Sequence, residues 1–142
     1  METYQNLTPL KQALYVGVLY LLLVGLFSLF PSPSAENSKL MPWTILSAML
    51  LLFATLNTII SIVFKKGTSY YAHSIYSFFG FAILGGFTAY GISGVSLQNA
   101  GSISWILGMF AFCFLVLISI SNLMKLIFSI IEKHDNDYLK NK

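Results

Sequence analysis

Charge is what this sequence has least of. Asp, Glu, Lys and Arg together make up 9% of its 142 residues, where soluble domains carry roughly 25%. Too few polar groups exist to cover a water-facing surface, which excludes a soluble globular enzyme and a disordered linker. Arginine is absent, and all eight basic residues are lysines placed at segment ends. A net charge of +3 therefore forms no basic face. Nucleic-acid binding, which needs cations clustered on one patch, is excluded with it.

Cysteine is scarce too. Cys113 is the only one, so an intrachain disulfide, a CxxC redox pair and a thiolate metal site are all ruled out. It reads as a small buried hydrophobe. Glycine-rich phosphate loops and the G-x-S-x-G nucleophile motif are missing. Charged groups are absent from the middle of every long apolar run, where they would mark function. Three kinds of small four-helix membrane protein lose required residues. The first run offers Tyr15 and Tyr20 where proton-coupled multidrug transporters need a carboxylate. Quinone-linked disulfide enzymes need cysteine pairs. Glutathione-utilising membrane enzymes hold their anionic cofactor with arginines.

What is present is apolar. Hydrophobic residues make up 56% and aromatics 15% of the chain, with a mean hydropathy of +0.75. Four continuous runs, 12–30, 42–64, 71–93 and 103–124, each suffice to cross about 30 Å of hydrocarbon, which takes around 20 helical residues. Unbroken apolarity favours helices over alternating barrel strands, and lipid requires every backbone group to be satisfied internally. The expected fold is all-α: a polytopic membrane protein whose four helices form an up-down bundle over 1–134. The first run is longer than the 7–15 residues of a signal-peptide core and reads as a retained span. Thr8-Pro9 supplies its N-cap and first helical residue, and Pro31-Ser32-Pro33-Ser34 stops it. Gly94 and Gly101 read as turn residues of a short loop.

After the fourth run the pattern changes. Ser121, Lys125, Ser129 and Glu132 share one helical face, and Met124, Ile127, Ile130 and Ile131 the other. Residues 122–134 are expected to continue as an amphipathic helix lying on lipid head groups or on a partner. A polar, frayed tail over 135–142 follows.

Lysines fix the orientation. With the N-terminus cytoplasmic, that side holds seven of them, Lys65, Lys66 and Lys125 at its interface among them, and the other side holds only Lys39. Loops this short obey the positive-inside rule, so both termini are expected in the cytoplasm, the membrane being a bacterial inner (plasma) membrane. Trp43 and Trp105 fall at the outer boundary, Tyr70 and Tyr71 at the inner one.

Two groups of residues are candidates for function. Gly85, Ala89 and Ser93 at four-residue spacing, with Ala82 and Gly86 beside them, form a small-residue ridge; Ser104 and Gly108 make a lesser one in the fourth helix. Such ridges permit close backbone approach and serve either the bundle itself or a partner. Asn57, Thr58 and Ser61 form a polar stripe on the second helix, with Ser119 and Asn122 of the fourth at similar depth. These either bond across the two helices or line a small polar cavity. His73 and His134, with Met49 or Met124, are not spaced to demand haem; His73 is expected to bond locally, and no cofactor is expected.

The function expected is that of a non-enzymatic accessory or scaffold subunit of a membrane assembly. Its partners are lipid and either other subunits or further copies of itself. A small oligomeric channel or transporter, and a membrane immunity or defence protein, are the alternatives.

Overall fold

The computed structural model describes residues 8–29, 35–64 and 68–140, with side chains given for 8–29, 39–64 and 69–134. It contains α1 (Pro9–Leu29), α2 (Ala35–Val63), α3 (Thr68–Ser93), a short 3-10 helix (Leu97–Ala100) and α4 (Ser102–Lys140). No strand occurs among the described residues. All four α-helices are long and apolar enough to cross a membrane. The chain is an all-α four-helix bundle.

Local chemistry sets three of the helix ends. Thr8 caps α1: its Oγ1 accepts from the Lys11 N–H at 3.4 Å and its carbonyl from the Gln12 N–H at 3.1 Å, with Pro9 at the first helical position. Gly94, with φ +66°, closes α3 by donating its N–H to the Tyr90 carbonyl at 2.8 Å. Gly101, with φ +58°, precedes α4. Both glycines take backbone conformations that a side chain would resist.

Two helices are longer than their apolar runs. α2 begins at Ala35 and carries Pro42 inside it, although the run begins only at Pro42. The helix continues through Pro42, its eighth residue, although a proline there forfeits the bond to the residue-38 carbonyl and crowds it. α4 continues unbroken to Lys140, 39 residues in all, so 135–140 is helix rather than frayed tail. It contains no glycine or proline after Gly108, and nothing else in that stretch is a helix breaker.

Cross-contacts give the helix directions. Gln12 meets Tyr70 and Tyr20 meets Gly85, so α1 and α3 run parallel. Asn57 meets Ser74 and Trp43 meets Val95, so α2 runs against α3. Phe53 meets Phe114 and Ser61 meets Ser121, so α4 runs with α2. The order is up, down, up, down. We call the end where α1 and α3 begin the base, and the other end, with the 3-10 helix, the top.

α2 is the central helix and packs on the other three; α4 rests mainly on α2 and reaches α3 through side chains, Phe114 on Phe78 and Ser121 and Lys125 at Tyr71. Half (50%) of α2's most apolar window is buried, against 11% of α4's. The core is aromatic at mid-height. Phe53, Phe78 and Phe114 are each 1% exposed or less, and Phe78 stacks on Phe114 with centroids 4.1 Å apart and planes 15° apart.

Candidate functional site

The α3 ridge faces α2. Ala89 is fully buried, and Gly85 lies so close to Leu46 that a Cβ at position 85 would overlap Leu46 Cδ1. Ala82 and Gly86 sit beside them, half-buried, with the Trp43 ring 3.8 Å from where a Gly86 Cβ would stand. Ser93 does a different job from the one its spacing suggests. Its Oγ accepts from the Val95 N–H at 3.1 Å, so it closes the α3 end rather than packing against a helix. Trp43, expected at a membrane boundary, is buried and donates its Nε1–H to the Val95 carbonyl at 3.0 Å. Trp105, by contrast, is 80% exposed.

The lesser ridge on α4 does not pack within the chain. Gly108 has open space around it, and Ser104 Oγ donates to the Gly101 carbonyl in its own first turn at 2.8 Å. Cys113 is exposed, not buried, because most of α4's circumference faces away from the bundle.

The polar stripe of α2 is buried, with Asn57 and Ser61 each 1% exposed and Thr58 9%. Its partners differ from those expected. Ser119 is exposed and bonds the Leu115 carbonyl of its own helix at 2.9 Å, and Asn122 is exposed as well. Ser121 takes their place, its Oγ 3.1 Å from Ser61 Oγ and 3.3 Å from the Tyr71 hydroxyl. The reason is rotation about the helix axis. At about 100° per residue, Ser121 falls roughly 20° from Phe114, whereas Asn122 falls about 80° and Ser119 about 140° away. Equal depth does not give an equal face.

This cluster extends in both directions. Lys125 Nζ lies 4.4 Å from the centre of the Tyr71 ring, a cation–π contact that ties the lower part of α4 to the first turn of α3. Ser74 Oγ is 3.2 Å from Asn57 Oδ1 and 2.8 Å from the Tyr70 carbonyl. Gln12, unmarked by any sequence pattern, is 4% exposed and donates from Nε2 to the Tyr70 hydroxyl at 2.7 Å; its Oε1 is buried without a partner. Thr58 bonds its own helix at the Ala54 carbonyl, 2.8 Å away. His73 also bonds locally, Nδ1 to the Ser69 carbonyl at 2.7 Å. Lys65 and Lys66 lie outside the described residues.

Grooves lie along the bundle's flanks, two of them among the described residues. One of about 580 Å³ runs between α1 and α3, past Gly17, Gly80 and Phe81. The other, about 490 Å³, lies between α3 and α4 over a floor of Trp43, Leu46 and Leu50. Neither is lined by Asn57, Ser61 or Ser121. The polar groups face one another, which makes them interhelical links worth about 0.6–2 kcal/mol each. Ser121→Val should therefore lower stability in a detergent-unfolding titration by about that amount, while Ser119→Val leaves it unchanged. Equal effects would contradict the assignment.

Four membrane-length apolar helices in one bundle define a polytopic integral membrane protein. No protein-family model, no curated protein and no solved structure matches the chain, so the functional reading is built from its own geometry.

Proposed function

We propose that this chain is a non-enzymatic subunit of a larger membrane assembly, acting by helix packing as an accessory or scaffold component. One observation carries the reading: α4 is held to the bundle along a narrow face, while large apolar side chains cover the rest of it. Trp105, Met109, Phe112, Leu123 and Ile130 are all more than half exposed. Exposed apolar residues are ordinary within lipid, but they continue past Lys125 into the amphipathic stretch, where an exposed apolar face marks an interaction site. The buried polar groups support packing over transport, since a channel lining would need them to face a path. Seven lysines at the base end of the topology and one at the other favour a cytoplasmic base, with both termini inside, in a plasma membrane.

Truncation after Met124 tests the docking role. The shortened protein should still insert, since four spans remain, but its purified particle should fall to the mass of a single chain. A truncated protein that keeps the full-length particle would overturn docking through the stretch after Met124.

A further inference from the structure

Gly17 and Gly80 do no close packing inside the bundle. No heavy atom lies within 4 Å of a Cβ placed on Gly80, and only the Phe81 ring, at 3.7 Å, comes near one on Gly17. Glycine weakens a helix interior, and between membrane helices a close backbone approach usually offsets that cost. Neither residue makes such an approach within the chain. Both lie instead on the groove between α1 and α3. Leu10, Leu14 and Leu21 of α1 and Tyr76 and Leu84 of α3 also line it, and all five are more than half exposed. Leucine in place of the glycines would meet lipid equally well and fill the space. The glycines leave it as a trough.

The dimensions of the trough select what can lie in it. It runs beside residues 10–21 of α1 and 73–88 of α3, about 16 Å and 22 Å of helix. A volume of about 580 Å³ spread over that length has an average width of about 5–6 Å. A helix with its side chains is about 10–12 Å across and does not enter. Carbon atoms in contact stand about 3.5–4.0 Å apart, so a single hydrocarbon chain does. Half of the hydrocarbon core is about 15 Å thick, and the trough is long enough for one extended chain of one leaflet. Hydroxyls at its upper end are engaged within the protein. Thr88 Oγ1 donates to the Gly85 carbonyl at 2.8 Å, and the Tyr20 hydroxyl lies 3.4 Å from each of those two oxygens.

The trough also has a direction. Its lower end lies at His73 and Tyr76, in the first three turns of α3 and so at the base. Seven of the eight lysines belong to the base side of the topology, and lysines at a membrane surface attract anionic lipids. The other groove reaches Ser96 and Leu97 at the top, the side that has only Lys39. We propose that the trough binds one anionic phospholipid of the base-side leaflet. One acyl chain lies extended over Gly17 and Gly80, and the headgroup stands at the lower end among the lysines. His73 Nδ1 is engaged by the Ser69 carbonyl at 2.7 Å, which leaves its Nε2 and the Tyr76 hydroxyl for the headgroup. α4 takes no part in lining the trough, so the lipid site is independent of the docking face on that helix.

Native mass spectrometry of the full-length protein tests the site. Protein placed in nanodiscs of equal parts phosphatidylglycerol and phosphatidylcholine, then released, should retain one phospholipid per chain, phosphatidylglycerol favoured several-fold. Gly80→Leu leaves the bundle folded, since a Cβ there meets nothing, but fills the trough, so retention should fall several-fold. Gly17→Leu, on the facing helix, should do the same. Gly108→Leu also has open space around it but lies outside the trough, and should retain lipid as the unmodified protein does. Equal retention in all three variants would overturn the site. Equal retention of the two phospholipids by the unmodified protein would overturn the selection of an anionic headgroup.

Discussion

Gly85→Leu should be among the most damaging single substitutions in the bundle. At Gly85 even a Cβ would collide with the end of the Leu46 side chain, so Leu46, itself 1% exposed, must be displaced toward the neighbouring groove before a leucine fits. Overpacking of this kind costs about 1–3 kcal/mol and sometimes more, and in lipid no hydrophobic gain offsets it, because helix association depends on packing. Two comparisons make the cause specific. Gly86→Leu should be milder, because its Cβ would meet only the Trp43 ring at 3.8 Å and points toward a groove. Gly80→Leu should be close to neutral, because no heavy atom lies within 4 Å of its Cβ position. Leu46→Ala combined with Gly85→Leu should cost less than the sum of the two single changes, the signature of direct contact. Detergent-unfolding titrations of the five variants check the order, and additivity of Leu46 and Gly85 would contradict it.

Phe114→Ala should release α4 from a bundle that otherwise holds. Phe114 is fully buried and meets Phe78 at 4.1 Å and Phe53 at 6.2 Å, centroid to centroid. Removing the ring breaks both aromatic pairs at a cost of about 1–3 kcal/mol, before any cost for the void it leaves. Below Phe114, α4 is held by Ile118 and Ser121, its other buried residues, and by the Lys125–Tyr71 contact, while Ile103, Leu107 and Ala111 pack on the core above it. α1, α2 and α3 keep their mutual contacts, including Tyr20–Phe81, Gln12–Tyr70 and Trp43–Val95. Amide hydrogen exchange in lipid nanodiscs should therefore rise in α4 and stay low in the other three. Uniform loosening of all four helices would show that the aromatic cluster holds the whole bundle instead.

The fold was legible because lipid makes strict demands. A run of some 20 apolar residues has to satisfy its own backbone, so it becomes a helix, and the four runs are continuous enough to be counted directly. The Thr8-Pro9 cap and the Gly94 and Gly101 turns were legible too, since each depends on a local residue preference. The face each helix turns inward was not. In a soluble helix the apolar stripe points to the core, but in a membrane span apolar residues point both to the core and to lipid, and the periodic signal is lost. Hence Ser119 and Asn122 looked equivalent to Ser121, which alone reaches Ser61 and Tyr71. Cys113 looked buried for the same reason and is exposed. Gln12, half a helix away from any other polar stripe, gave no sign that Tyr70 lies 58 residues further along the chain and against it. The small-residue spacing around Gly85 was visible in the sequence, but its neighbour was not: Leu46 is one leucine among many. Beyond Lys125 the stripe reappears, with Ser129 and Glu132 on one face and Ile127 and Ile130 on the other.

The protein mass of the purified particle, measured in lipid nanodiscs or by native mass spectrometry from detergent, bears most directly on a role in assembly. One chain weighs 15.8 kDa. An assembly subunit predicts either a whole-number multiple of that mass or one chain accompanied by a stoichiometric second protein. A particle of a single 15.8 kDa chain, unchanged as protein concentration is raised, would contradict it.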